Sequence, residues 1–284
     1  MHGIARMPEL PEVEVIRQGL LPLVKGRKIA GFGSSGKRLR TEVPEECIGE
    51  RLVGAVITGI ERKAKYLLFT FDSGDLLTIH LGMTGRLTIF PAETPPARHD
   101  HLFFLLDNGR ELRFNDTRRF GSVQCFKNAE KTQALRRLFA TTGPEPFSAQ
   151  CTPAYLHARA RNRSQAVKTF IMNSAILAGV GNIYANESLF AAGIHPATPA
   201  GTLTPKQWQL LLDKIRDILN WAIACGGSTI SDFQNAGGQS GYFQINFRVY
   251  GRRQKPCVRC STPLAREVIG GRASYFCPRC QKRK

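Results

Sequence analysis

Between residues 52 and 126 the apolar positions fall into short runs separated by turn residues, with no helical stretch between them. The runs are Leu52–Ile60, Tyr66–Phe71, Leu76–Leu81, Arg86–Phe90, His101–Leu106, Glu111–Phe114 and Ser122–Phe126. Asp72-Ser73-Gly74 and Asp107-Asn108-Gly109 read as hairpin turns. Many short strands joined this closely predict an antiparallel sandwich or barrel. Ahead of them, Val13, Ile16, Leu20 and Val24 recur at helical spacing up to Lys25-Gly26, which predicts a helix packed at the sheet edge.

After Gly143-Pro144-Glu145-Pro146 the period changes to helical, so a second domain is expected. The spacing predicts a helix over 167–178, a tight turn at Gly179-Val180-Gly181, and a short helix over 183–192 with Asn182 as its N-cap. Thr204-Pro205-Lys206-Gln207 carries an N-cap, a first-position proline and a capping-box glutamine. Trp208, Leu211, Leu212, Ile215, Ile218 and Ala222 supply that helix with an apolar face, and Gly226-Gly227 ends it.

Charge narrows the partner. Forty Lys and Arg against 22 Asp and Glu leave +18 on 284 residues, which predicts a polyanion, with nucleic acid ahead of an anionic membrane. The last 37 residues, from Arg248, hold eleven Lys and Arg against Glu267 alone. No apolar run approaches the roughly 20 residues that span a bilayer, and Met1–Arg6 lacks the apolar core of a secretory signal, so a cytoplasmic location is expected. Cys257, Cys260, Cys277 and Cys280 form two C-x-x-C pairs, the spacing of a four-thiolate structural zinc site. Two disulfides are the alternative, disfavoured in a reducing compartment. Between the pairs, Val268 to Ala273 reads as a two-residue hairpin with Arg272 beside its tip. His99-Asp100-His101 has no third ligand nearby and is not expected to bind metal.

Met7-Pro8-Glu9 decides what chemistry is open to the chain. An internal proline nitrogen is an amide, whereas a terminal one is a secondary amine able to form an iminium with a sugar carbon. The plain alternative is a helix start, with proline and then Glu9 and Glu12 in the first turn.

Seven segments in order resemble the bacterial formamidopyrimidine-DNA glycosylases. They are Pro-Glu-Leu-Pro-Glu-Val-Glu at 8–14, Lys63-Ala64-Lys65-Tyr66-Leu67-Leu68, His80-Leu81-Gly82-Met83-Thr84-Gly85, Arg118-Arg119-Phe120-Gly121, the segment from Gly179 to Ala185, Gly241-Tyr242-Phe243, and the four cysteines. The resemblance covers residues 7–284 and implies an α+β fold of two domains. These are an N-terminal antiparallel β-sandwich with an N-terminal helix, and a C-terminal helix-two-turn-helix domain with a zinc-finger β-hairpin. Boundaries are expected at 8–140, 141–240 and 241–284, with 1–7 absent from the mature enzyme.

By that resemblance the chain removes 8-oxoguanine and formamidopyrimidines from duplex DNA and nicks the strand by β,δ-elimination, as a DNA glycosylase with abasic-site lyase activity. Pro8 would be the nucleophile, Glu9 the acid, Glu12 a supporting carboxylate, Lys65 an aid to elimination, and Arg272 a participant in the second elimination. Met83 and Phe120 would fill the gap left in the duplex, with Arg118 on the orphaned cytosine. His99, Arg163, Lys168, Asn182 and Arg272 would bind phosphates. One structural zinc is implied and no redox or nucleotide cofactor; the partner is lesion or abasic DNA, and the protein a monomer. A mobile loop over Gly237 to Phe247 is expected to cover the flipped base. Two departures stand out: Met1–Arg6 ahead of the nucleophile, and Thr117 where proline is common. The rivals are the related glycosylase for oxidised pyrimidines and a non-catalytic zinc-ribbon DNA-binding protein.

Overall fold

The computed structural model describes residues 8–226 and 247–283, which divide into two compact units, one ending at Ala140 and the other beginning at Thr141. In the first, α1 (Leu10–Val24) precedes β1 (Ile29–Ser34) and α2 (Glu45–Leu52). Seven strands follow: β2 (Ile57–Lys63), β3 (Tyr66–Phe71), β4 (Leu76–His80), β5 (Gly85–Pro91), β6 (Asp100–Leu106), β7 (Arg110–Asp116) and β8 (Ser122–Phe126). The helix α3 (Asn128–Leu138) closes the unit.

The strands form two antiparallel sheets, ordered β1-β6-β7-β5 and β2-β3-β4-β8. One core lies under both: Leu67, Phe69 and Ile79 come from one sheet, Phe104, Leu112 and Phe114 from the other, and Val13, Leu20 and Val24 from α1. This is the expected sandwich. The turns expected after β3 and β6 carry Gly74 and Gly109 at φ of 80° and 73°, a region a Cβ disfavours. The run Leu52–Ile60 is not one strand. Its first residue ends α2 and its last four lie in β2. Glu45 and Glu46 at the start of α2 and Arg51 at its end suit the helix dipole, a signal too short to show as periodicity.

The second unit holds α4 (Pro153–Ala160), α5 (Val167–Ile171), α6 (Asn182–Ala192), α7 (Pro205–Ala224) and the hairpin β9 (Ala265–Ile269) with β10 (Arg272–Phe276). Trp208, Leu211, Leu212 and Ile215 of α7 are fully buried, as the spacing predicts, and the Thr204–Gln207 capping box is formed. The expected helix over 167–178 stops after five residues. Asn173 turns the chain, its carbonyl accepting from Ile176 and Leu177 and its side chain from Ala175 N–H. Gly181, not Asn182, caps α6, and Asn182 is its first residue. A smaller core of Phe190, Val249, Leu264 and two cysteines ties α6 to the metal-binding segment. Residues 1–7 and 227–246 lie outside the described residues, so the start of the chain, the Gly241-Tyr242-Phe243 marker and most of the expected loop do too.

Candidate nucleic-acid interface

In the first unit Glu9 is held at the start of α1. Glu9 is the N-cap of α1, 3% exposed, and its N–H donates to Glu12 Oε2 at 2.9 Å. Glu12 therefore supports Glu9 through the backbone. Pro8, half-buried, stands just before it. Farther along α1, Glu14 accepts from Arg17, Gln18 and Arg62. Burial works to raise its pKa, but the hydrogen bonds from Arg17 and Gln18 and the charges of Arg17 and Arg62 more than offset this, holding the carboxylate below its usual range.

Arg62 also donates to Ala64 O at 3.0 Å and so shapes the β2–β3 turn, where Ala64 takes φ of 52°. Lys65 sits in that turn, not within a strand. Its charge faces His80, a residue the motif contains but the expected site does not. Burial first, then Lys65 and Arg40, push the His80 imidazole down to about 4, so it is neutral at pH 7. Its Nδ1 accepts Gly82 N–H at 3.0 Å, and its ring lies 4.7 Å from that of Tyr66.

Met83, half-buried, projects from the turn after β4, and Arg118 and Phe120 from the turn after β7. Phe120 is 45% exposed, so it is not sandwich core. The Arg118 guanidinium lies over its ring, 4.7 Å from the centroid. The two turns touch backbone to backbone: a Cβ on Gly82 would stand 2.4 Å from both Gly121 N and Phe120 C. His99 is half-buried and its carbonyl accepts Asp116 N–H. His101 points inward to Ser35 and Asp116 O, so the two histidines do not converge.

In the second unit Arg163 is exposed, its guanidinium 5.9 Å from the Phe170 ring centroid. Lys168 is placed otherwise than a phosphate contact requires. It is fully buried, and its ammonium donates to Ala273 O at 2.8 Å and Ser274 Oγ at 2.7 Å, so it fastens the hairpin to α5. Asn186 fastens the same strand to α6, accepting Tyr275 N–H at 2.7 Å. Gly270 and Gly271 form the tip at φ of 56° and 72°, and Arg272 is exposed beside it, paired with Ile269. Half-buried Asn182 opens α6, its carbonyl accepting from the Asn186 amide.

The sulfurs of Cys257, Cys260, Cys277 and Cys280 lie within 4.8 Å of one another, the closest pairs 3.4–3.5 Å apart. A tetrahedral zinc with four bonds of about 2.3 Å sets its sulfurs about 3.8 Å apart, so this donor set fits one structural zinc. Glu187 anchors the segment leading to it, accepting the N–H groups of Arg248, Val249 and Tyr250 at 2.8–2.9 Å. No helix among the described residues is long and apolar enough to cross a membrane.

Three family models match in order: the formamidopyrimidine-DNA glycosylase N-terminal domain over residues 7–123, its H2TH domain over 142–234, and the zinc finger found in FPG and IleRS over 254–283. The formamidopyrimidine-DNA glycosylase of Syntrophotalea carbinolica is 48% identical over 276 residues, 97% of this chain and 100% of the relative. The chain belongs to the formamidopyrimidine-DNA glycosylase family. A Lactococcus lactis FPG in complex with Fapy-dG DNA matches with a TM-score of 0.88 and 31% identity, covering 97% of this chain and all of that one. A MutM in complex with DNA containing carbocyclic 8-oxo-G matches at 0.87 and 32%, with the same coverage.

Proposed function

We propose that this chain is a base-excision-repair DNA glycosylase that removes 8-oxoguanine and formamidopyrimidines paired with cytosine, acts as a monomer in the bacterial cytoplasm, and cleaves the abasic strand. The supporting observation is the pairing of a half-exposed Phe120 with Arg118 on a turn pressed against that of Met83. Large apolar groups on a surface suit a duplex from which one nucleotide has been turned out. Arg118 offers the planar fork of donors that an orphaned cytosine can accept from.

Pro8, with its nitrogen free, attacks the sugar C1′ atom. The bond to the base breaks, its electron pair leaves with the base, the base takes up the nitrogen proton, and opening of the sugar ring gives an iminium. Glu9, in its acid form, gives its proton to the ring oxygen. Abstraction of a C2′ proton then expels the 3′ phosphate, and a second elimination expels the 5′ phosphate, leaving a one-nucleotide gap. Lys65 assists elimination from the β2–β3 turn; Arg272 holds phosphate and participates in the second. His99, Arg163 and Asn182 bind phosphate, and Lys168 acts through the hairpin it fastens. Cys257, Cys260, Cys277 and Cys280 would hold one zinc, which would supply a structural crosslink at the base of the Arg272 hairpin.

Borohydride reduction during incubation with an 8-oxoguanine:cytosine duplex tests this. A covalent DNA adduct mapped to a peptide beginning at Pro8 is the expected result. Tight binding without an adduct, from protein known to begin at Pro8, would instead favour a silent DNA-binding protein. A thymine glycol duplex run alongside tests the pyrimidine rival.

A further inference from the structure

Asp116, the last residue of β7, has a fully buried side chain, and both its oxygens face donors from turns far apart in sequence. Oδ1 accepts from the Thr84 hydroxyl, next to Met83, and from Arg118 N–H at 3.3 Å. Oδ2 accepts from Gly121 N–H, next to Phe120, at 2.8 Å. Thr84 Oγ1 in turn accepts Arg118 N–H at 3.0 Å. The backbone of the same residue binds on both sides, its N–H to His99 O and its carbonyl to Arg119 N–H. A buried carboxylate is expensive unless its lone pairs are filled, and a turn can be closed by a neutral side chain at lower cost. Here the donors that fill it come from the two turns that carry Met83, Arg118 and Phe120.

We propose that Asp116 is a positioning residue that braces these turns into one rigid wedge, so that gap filling and the check on the opposite base depend on a single buried carboxylate. This rests on the wedge reading of Met83, Arg118 and Phe120 given above. Removing the brace would loosen both turns together, because the same carboxylate holds donors from each; what remains includes the His80 bond to Gly82 N–H in one and the Arg40 N–H bond to Gly121 O in the other.

The test uses Asp116→Asn in protein beginning at Pro8. An amide is neutral and keeps one acceptor: with its oxygen on Gly121 N–H it must reverse the Thr84 bond and drop Arg118 N–H, and with its oxygen on Thr84 it sets a donor against Gly121 N–H, so the charge-assisted bonds are weakened in either orientation. Amide hydrogen exchange is read first. Residues 82–85 and 118–121 are expected to exchange about tenfold faster, both together, while β3 and β4 stay protected. Unchanged exchange, or acceleration of one turn alone, would overturn the brace, and neither result depends on what the protein does to DNA.

Activity is read second, as ratios within each protein. Excision of 8-oxoguanine should fall about tenfold relative to cleavage of a preformed abasic site, which is already unstacked. The preference for cytosine over adenine opposite should fall about fivefold. If wild type shows no excision of 8-oxoguanine, the functional reading fails while the exchange result still judges the brace. Should Asp116→Asn not fold, Thr84→Val decides: it cuts the Asp116 link to the Met83 turn and the Thr84 bond to Arg118 N–H, and leaves Gly121 on Oδ2. About threefold losses in both ratios are expected, and unchanged ratios with unchanged exchange overturn the proposal.

Discussion

Arg62 joins two parts of the first unit: its Nε lies 3.1 Å from Glu14 Oε2 on α1, while its Nη1 donates to Ala64 O in the turn that carries Lys65. The helix that begins beside Pro8 and Glu9 is thereby tied to the turn of a second expected active-site group. Glu14 is held as a carboxylate below the usual value of 4.5. Because its folded pKa is depressed, its stabilisation is full above 4.5 and is lost as pH falls through the folded value, where the unfolded chain takes up the proton first. Glu14→Gln should lower stability by about 1–3 kcal/mol near neutrality, and its melting temperature should fall less steeply than wild type below pH 4.5. Parallel melting curves across that window would show that the pair does not carry the acid response.

An extra residue ahead of Pro8 should abolish the borohydride-trapped adduct, since the nitrogen becomes an amide. Duplex binding should survive, because the large excess of Lys and Arg over Asp and Glu is untouched. Gel-shift and trapping assays on one preparation separate the two.

Phe120→Ala should cost little stability, within about 1 kcal/mol, because the ring is half in water. It should slow excision of 8-oxoguanine far more than cleavage at an abasic site, which has no base to displace. Single-turnover rates on both substrates check this.

Lys168→Met should destabilise the second unit by about 1–3 kcal/mol, since Ala273 O loses a buried donor. If Lys168 serves by fastening the hairpin, the same variant should weaken binding to damaged and undamaged duplexes alike, measured by fluorescence anisotropy. Selective loss on one of them would argue for direct contact with the lesion.

Stripping zinc with a chelator should loosen the segment from Arg248 while the sandwich keeps its melting temperature. The cysteine-bearing core there is small and leans on Phe190 of α6, so the metal supplies much of its order. Hydrogen exchange resolved by peptide would show the difference.

The sandwich was legible because strand length and turn chemistry agree: Gly74 and Gly109 stand where hairpins must reverse. The metal ligands and the Gly270-Gly271 tip were legible for the same reason, as spacing and special residues are local. Helix lengths were not. Asn173 ends α5 through bonds to residues beyond it, and no periodicity in 167–178 carries that. Lys168 and Asp116 could not be read as braces, since their partners lie about a hundred and about thirty positions away in sequence. His80 escaped notice inside a motif read for Met83, because its neutrality depends on burial and on charges brought close by folding.

The guanidinium of Arg118 resting on Phe120 means that, on the proposed reading, the tool for opening DNA is built before any DNA arrives. A preformed wedge spends none of the contact energy on its own assembly. The decision at each base pair then passes to the duplex: an intact pair pushes the probe out at once, and a weakened one yields to it. Such a protein can sample many positions quickly, because rejecting a sound base asks nothing of the protein's own shape.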